Sequence, residues 1–323
     1  MTMRGAPTRH LSRHEVRVEP PFRLDLTVSA LRRLPTNVVD VLLPDGAYAR
    51  ALRDDHGLVV VRASVARPDA LEVTVDGPRA AHAAAVATVR RVLGVERDTT
   101  GFERAAAGMP WLRPLVRRMR GLRPPRYPTL WEACVNAIAF QQLSVFAASA
   151  IVARLVTALG TRTKIGEVPL WTFPGPESWL AQRTPALRAM GLTMTKLGAL
   201  RRAAEAIASG ALDERTLEAL PSADAAARLR RIKGIGPWTA AVILLRGLGR
   251  LDVFPPADSS VAHNLARVAG DTRPDIASVV RKLEPQQGML YFYLLLARLE
   301  ARGALPVAGA RRYRAPLAGG LAE

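Results

Sequence analysis

The sequence predicts an α+β N-terminal domain built on an antiparallel sheet, followed by a mostly α-helical core that contains a helix-hairpin-helix motif. In the first third of the chain, apolar and polar residues alternate with a period of two, as they do in half-buried strands. Beyond about residue 106, helix caps and glycine or proline stops replace this alternation. A Gly-Ile-Gly turn at 234–236 then separates two helical patterns.

Four segments are expected along the chain. Residues 1–20 are polar, basic and aperiodic, which indicates a flexible tail, and residues 21–106 should form the sheet domain. Residues 107–302 are expected to form an all-α core of two lobes. Residues 303–323 are expected to be a loose C-terminal tail.

Strands are predicted where the alternation is clearest. Phe22, Leu24, Leu26 and Val28 alternate with polar residues, which predicts a first strand over 22–28. Further strands are predicted over 38–44, 57–66 and 71–77, and a turn at 67–70 should join the last two. The alanine-rich stretch 80–94 is typical of a helix that ends at Gly94.

Helix N-caps mark the elements of the core. Thr129 and Glu132 have the spacing of a capping box in front of an apolar helix face. The other predicted helix starts are Ser144, Thr184 and Ser222, and the helix from Ser222 is expected to run to Lys233. These signals together predict a helical region without strands.

Charge and cysteine content limit the class of protein. The formal net charge is +18 and the pI is about 11.3, as expected when the partner is a polyanion. Because nearly all the cations are arginines and alanine is abundant, a GC-rich coding sequence explains part of this excess. The single cysteine, Cys134, excludes an intramolecular disulfide and a cysteine-ligated cluster. Without a long apolar segment or an apolar signal-peptide core, we expect a cytoplasmic protein.

The Gly-Ile-Gly turn is the most informative segment. A helix is predicted to end at Lys233, and Pro237 is placed to begin the next one. The free N–H groups at a helix start, next to two glycines, can hold a phosphate. The hairpin residues predicted to contact a DNA backbone are Lys233, Gly234, Gly236 and Thr239. A lone glycine-separated helix pair is nevertheless common, and Lys233 can equally be a solvated charge.

A carboxylate follows the hairpin by about twenty residues. Asp258 stands after a proline-rich loop and before a helix with apolar residues at Val261, Leu265 and Val268. An aspartate in this position is usually a helix N-cap. The same position also favours the ionised carboxylate, because a helix N-terminus stabilises negative charge.

The string LRRIKGIGPWTAAVILLRGLG, with Asp258 after it, resembles the helix-hairpin-helix DNA glycosylase superfamily, and specifically its alkylation-repair subgroup of the 3-methyladenine glycosylase II type. The resemblance implies that Asp258 is the catalytic carboxylate. It also implies that Trp238 stacks on the extruded base, although its helical spacing would equally suit a core residue. In bifunctional family members the position of Trp238 carries a Schiff-base lysine, so the resemblance implies hydrolysis without strand cleavage.

The resemblance extends to a helix-loop-helix upstream. Gln142 and Leu143 lie in the loop that enters the minor groove in the family, so one of them is expected to fill the gap left by the flipped base. Thr193 to Lys196 are expected near a phosphate. Gln286 occupies a base-pocket position, and both Gln286 and Val242 stand where the subgroup tends to place aromatic residues.

The expected function is therefore a monofunctional DNA glycosylase that hydrolyses the bond between deoxyribose and an alkylated purine such as 3-methyladenine. Double-stranded DNA with damaged bases is the expected partner of a monomer that, in a bacterium, would be associated with the nucleoid. No organic cofactor and no iron–sulfur cluster are expected, and the resemblance admits a monovalent cation at the hairpin. The alternatives are a glycosylase for an oxidised or deaminated base, and a lesion-sensing DNA-binding protein without turnover.

Overall fold

The structure, a computed structural model, describes residues 9–306. Five antiparallel strands form one sheet in the order β1-β5-β4-β3-β2. In chain order its elements are β1 (His10–Arg17), α1 (Leu24–Arg32), β2 (Val41–Leu42), β3 (Tyr48–Asp54), β4 (Gly57–Arg67) and β5 (Ala70–Gly77), after which α2 (His82–Leu93) packs on the sheet. As predicted, α2 ends at Gly94, which adopts a left-handed conformation.

Two predictions for the N-terminal region are wrong. Residues 10–17, expected in a flexible tail, form the edge strand β1, and residues 1–8 of that tail lie outside the described residues. The strand looks aperiodic because Val16 is its one buried residue. The strand predicted over 22–28 is instead helix α1. Seven of its nine residues are buried, Thr27 and Ser29 among them, so the polar residues between the apolar ones do not mark an exposed face as they would in a strand.

The helical part begins with α3 (Thr100–Ala107), α4 (Arg113–Arg118), α5 (Leu130–Ala139) and α6 (Val145–Leu159). A small hairpin of β6 (Arg162–Ile165) and β7 (Val168–Trp171) follows, so the core is not all-α as predicted. The remaining helices are α7 (Pro176–Leu180), α8 (Thr184–Ala189), α9 (Met194–Ala208), α10 (Glu214–Ala219), α11 (Ser222–Arg230), α12 (Pro237–Gly247), α13 (Ser259–Ala269), α14 (Ile276–Lys282) and α15 (Gly288–Glu300). Residues 307–323 of the predicted C-terminal tail lie outside the described residues.

Two large apolar clusters hold the helices together. The first joins the sheet and α2 to α5, α9, α11 and α12. The second joins α1 and α4 to α13, α14 and α15. Because α12 contributes to both clusters, it lies between the two helical groups.

A buried ion triad fastens the sheet domain to α5. Arg50 on β3 donates from Nη1 to Asp40 Oδ1 at 2.7 Å and from Nη2 to Glu132 Oε2 at 2.5 Å. Tyr48 also donates its hydroxyl to Asp40 Oδ1 at 2.8 Å. Thr129 caps α5 as predicted by accepting from the Glu132 N–H, but the Glu132 carboxylate turns to Arg50. The helix that leads to the predicted wedge loop is thus tied to the sheet by charge.

This triad predicts a pH dependence of stability. Burial raises the pKa of Glu132 to about 7, although the Arg50 charge opposes the shift. Since an unfolded glutamate titrates near pH 4.3, the folded protein holds the extra proton between about pH 4.5 and 7, and stability falls as pH rises through this window. Between these pH values the free energy of unfolding of the wild type should fall by up to about 3 kcal/mol, and this fall should be absent in Glu132→Gln. Urea titrations at several pH values would measure it.

The control for this series is Glu177→Gln, because Glu177 is exposed. This variant should keep the wild-type pH profile. Equal pH slopes for wild type and Glu132→Gln would contradict the assignment of the proton to Glu132.

Candidate active site

The hairpin between α11 and α12 has the predicted glycine turn. Gly234 has φ +104°, and a Cβ placed there would lie 2.5 Å from the Ala199 Cβ on α9, so both the backbone conformation and the packing require glycine. Gly236 caps α12, and a Cβ there would meet nothing within 4 Å. Open space therefore lies in front of the free N–H groups of α12, where an anion can approach.

The other two predicted backbone contacts have different outcomes. Lys233 is exposed beside the turn, and its carbonyl accepts from Arg202 Nε and Nη2 at 3.0 and 2.8 Å. Thr239 is 2% exposed, and its hydroxyl accepts from Gln141 Nε2 at 2.7 Å. The Thr239 hydroxyl therefore faces the α5–α6 loop, so only its backbone N–H is left for a phosphate, and the DNA contact stays a prediction.

The α5–α6 loop is fixed to the hairpin from behind. Gln141 Nε2 also donates to the Gly234 carbonyl at 3.0 Å. Lys196 Nζ donates to the carbonyls of Ala139 and Gln141 at 2.9 and 2.8 Å. Lys196 is only 8% exposed and burial lowers its pKa, so its amine does not face a phosphate. Residues 193–195 are exposed, and a phosphate contact in this stretch stays a prediction.

Beyond this anchor the loop protrudes. Gln142 has φ +53° and is exposed, and Leu143 is 40% exposed although it is apolar. Ser144 then caps α6, as predicted, by accepting from the Ala147 N–H. The two predicted wedge residues thus stand at the tip of a loop with a rigid base.

Asp258 lies at the N-terminus of α13 and has two sets of partners. Its Oδ1 accepts from the N–H groups of Ser260 and Val261 at 2.9 and 3.1 Å and from the Ser260 hydroxyl at 2.6 Å. Its Oδ2 accepts from Trp238 Nε1 at 2.8 Å. The N-cap role is confirmed, and the same carboxylate contacts the first turn of the hairpin helix.

Family comparisons agree with both halves of this architecture. Residues 14–128 match the model of the AlkA N-terminal domain, and residues 135–285 match that of the HhH-GPD superfamily of base excision DNA repair proteins. The chain belongs to the helix-hairpin-helix DNA glycosylase superfamily. The resemblance and the fold class predicted from the sequence are thus confirmed.

Several curated proteins that are similar in sequence to this glycosylase are named as DNA glycosylases or DNA repair enzymes. It is 27% identical over 273 residues to DNA-3-methyladenine glycosylase 2 of Escherichia coli, covering 83% of this chain and 91% of that one. It is 29% identical to a DNA-3-methyladenine glycosylase of Bacillus subtilis, covering 62% and 67% of the two chains. A probable bifunctional transcriptional activator/DNA repair enzyme of Mycobacterium tuberculosis is 35% identical, and the match spans 42% of its length.

A solved structure of a DNA glycosylase has a similar fold. The 3-methyladenine DNA glycosylase of Archaeoglobus fulgidus superposes with a TM-score of 0.72 at 26% identity, covering 89% of this chain and 99% of that one.

Among the helices of residues 9–306, none combines the length and the hydropathy that a membrane span requires.

Gln286 does not take the place predicted for it. Its Oε1 accepts from the Phe102 N–H at 2.6 Å, and its Nε2 donates to the Asp98 carbonyl at 2.7 Å. Both ends of the carboxamide are bound to the start of α3, so the prediction that Gln286 lines a base pocket is wrong.

The sequence interpretation missed a buried cation of this glycosylase. Arg33, at the end of α1, is 5% exposed, lies 3.8 Å from the centre of the Phe140 ring and donates to the Tyr291 hydroxyl at 3.4 Å. Burial acts to lower the pKa of Arg33, but nearby tyrosines and the Asp258 carboxylate raise it above its usual value. In sequence, Arg33 is one of two adjacent arginines, and nothing distinguishes it from a surface residue.

Proposed function

We propose that this glycosylase flips an alkylated purine, such as 3-methyladenine, out of duplex DNA and hydrolyses its N-glycosidic bond. The observation that carries the proposal is the 2.8 Å hydrogen bond from Trp238 Nε1 to Asp258 Oδ2, which joins the hairpin to a carboxylate. The names of the relatives support the class of lesion.

Asp258 would stabilise positive charge on the sugar. A glycosidic bond of this kind breaks through an oxocarbenium-like transition state, which a nearby carboxylate stabilises. The hydrogen bonds to Oδ1 and Oδ2 fix the orientation of the carboxylate before substrate arrives. At the start of α13 its Oδ1 also accepts from two free N–H groups of the first turn. An alkylated purine already carries positive charge and leaves readily, so the reaction needs no strong general acid.

Trp238 would contact the flipped base. Its indole is half-buried against the first apolar cluster, while its N–H holds the carboxylate. The remaining exposed part of the electron-rich ring suits a cationic base. The core and pocket interpretations of Trp238 are thus compatible.

The proposed reaction is hydrolysis, because no amine stands where a Schiff base would form. Trp238 occupies that position, and the Lys196 amine is bound to two carbonyls. Lys233 lies on the other side of the turn, where it would contact a phosphate together with Gly234 and Gly236. This chemistry needs no organic cofactor.

One observation favours a second candidate lesion. Val242 is 1% exposed and Gln286 is bound elsewhere, so neither contributes an aromatic face. The buried Arg33 guanidinium lies close enough to Asp258 for the two charges to interact, so it would repel a cationic base held at this carboxylate. It would instead favour a neutral base with acceptor atoms, such as the deaminated purine hypoxanthine.

A panel of duplexes tests both candidates. Each duplex would carry one lesion, 3-methyladenine, 7-methylguanine, hypoxanthine or 8-oxoguanine, and released base would be measured with and without alkali. Release of 3-methyladenine with strand breaks only after alkali is the expected result. Release of hypoxanthine alone would favour the second candidate. Binding to every duplex without release of any base would overturn the proposed activity.

The two candidate wedge residues, Gln142 and Leu143, should differ in how strongly their substitution lowers activity. An apolar side chain inserted between base steps stabilises the unstacked duplex, so Leu143→Ala should lower kcat/KM by about tenfold or more. Gln142→Ala should have a smaller effect, because the amide gains less from a position in the base stack. Single-turnover rates and duplex affinities of both variants would be compared. A larger loss for Gln142→Ala would reverse the assignment.

A further inference from the structure

An open cleft of about 370 Å³ lies between α4, α13 and α15, and none of the roles above uses it. Trp111, just before α4, contributes an apolar wall. Asn264 and Arg267 on α13 and Arg298 on α15 contribute the polar groups. Such a mixture of an aromatic ring, an amide and guanidinium groups suits a ligand with a flat ring and an anionic group.

The charges in the cleft are unbalanced. The Glu300 carboxylate is already bound by Arg118 through two hydrogen bonds of 3.0 and 2.9 Å. Arg267 and Arg298 form no ion pair within residues 9–306. Burial lowers the pKa of Arg298, and the neighbouring Arg302 guanidinium acts in the same direction. An anion would therefore be stabilised between these side chains.

Asn264 offers a buried acceptor without a donor. The residue is 4% exposed, and its Oδ1 has no hydrogen-bond partner among the described residues. Leaving a buried polar group unpaired costs about 1–3 kcal/mol, so such groups need an explanation. A phosphodiester has only acceptors and cannot satisfy Oδ1, whereas a nucleobase N–H can.

The cleft adjoins the proposed active site. Asp258 caps the helix that carries Asn264 and Arg267. The Asp258 carboxylate is also close enough to Arg298 to stabilise its charge. A DNA strand whose damaged nucleotide lies at Asp258 would therefore have neighbouring nucleotides within reach of the cleft.

We propose that this cleft binds one nucleotide unit, with its phosphate on Arg267 and Arg298 and the base against Trp111, and that the Asn264 carboxamide rotates so that Oδ1 accepts from a base N–H. This inference rests on the proposed function, because it assumes that the bound nucleotide is a neighbour of the damaged nucleotide in the same strand. A free nucleotide has the same chemistry, so the experiment includes both sources.

Binding to a duplex with a tetrahydrofuran abasic analogue tests the cleft without turnover. Arg267→Gln/Arg298→Gln should weaken affinity by about tenfold and reduce the slope of log Kd against log salt by about one, as expected for one lost phosphate contact. Arg53→Gln/Arg79→Gln is the matched control, since both residues are exposed in the sheet domain. Asn264→Leu should weaken binding severalfold without lowering Tm, because it removes an unpaired acceptor.

A second arm uses 2′-deoxyadenosine 5′-monophosphate without DNA, followed by tryptophan fluorescence. Saturable binding that disappears in Arg267→Gln/Arg298→Gln would identify a free nucleotide as the ligand. Altered duplex binding without nucleotide binding would identify a nucleotide in the strand. If the double variant matches its control in affinity and salt slope and the wild type does not bind the nucleotide, the proposal is overturned. Wild type that binds the analogue through the cleft but releases no base would refute only the proposed function.

Discussion

Asp258→Asn is expected to lower the rate of base release by about 10³-fold or more, because a neutral amide does not stabilise the cationic sugar. Asparagine is as good an N-cap as aspartate, so the free energy of unfolding should change by less than about 1 kcal/mol. The amide has one oxygen where the carboxylate uses two, and that oxygen would keep the α13 cap while the Trp238 hydrogen bond is lost. Single-turnover kinetics and urea unfolding would measure the two effects.

The matched control is Asp275→Asn, because Asp275 caps α14 through its bond to the Ser278 N–H at 2.8 Å and takes no part in the proposed chemistry. This variant should retain wild-type activity. Full activity in Asp258→Asn would show that another group stabilises the sugar. Equal loss of DNA affinity and rate would instead show a role in binding.

Arg50→Met is expected to have the largest effect on stability, about 3–5 kcal/mol. The substitution leaves the carboxylates of Asp40 and Glu132 buried together without the cation that binds both. Burial prevents water from compensating the charge, since Asp40 and Glu132 are 1% and 2% exposed. Urea titration at about pH 8.5, above the pKa of about 7 of Glu132 so that both carboxylates are ionised, followed by tryptophan fluorescence, would measure the loss.

Arg62→Met provides the comparison on the adjacent strand. Arg62 pairs with Asp45 at 2.6 Å, but both side chains are partly exposed, so the loss should stay below about 1 kcal/mol. If Arg50→Met cost no more than Arg62→Met, the triad would contribute little to the attachment of α5 to the sheet.

The sequence was most informative where backbone geometry restricts residue choice. The turn at Gly234 needs a left-handed glycine packed against Ala199, and Pro237 begins a helix, so this hairpin can be recognised from residue types. The caps at Asp258 and Ser144 were predictable because short polar side chains bind their own helix. Local chemistry decides these features.

Tertiary surroundings decided what the sequence could not predict. Helix α1 buries polar Thr27 and Ser29 together with its apolar residues, so the polar positions between them resembled the exposed face of a strand. Strand β1 has one buried residue, Val16, because it lies at an edge of the sheet. Gln286 and Arg33 became interpretable only once their partners across the domain boundary were known. These partners lie 184 and 258 residues away in the chain.

The Gln141 carboxamide joins the two surfaces on which a DNA strand would rest. Through Nε2 it holds both the Gly234 carbonyl and the Thr239 hydroxyl, while the next two residues form the protruding loop tip. The hairpin and the loop tip are therefore held at a fixed distance from each other. Under the proposed function, the number of nucleotides between a phosphate at the hairpin and a base at the loop tip would then be constant.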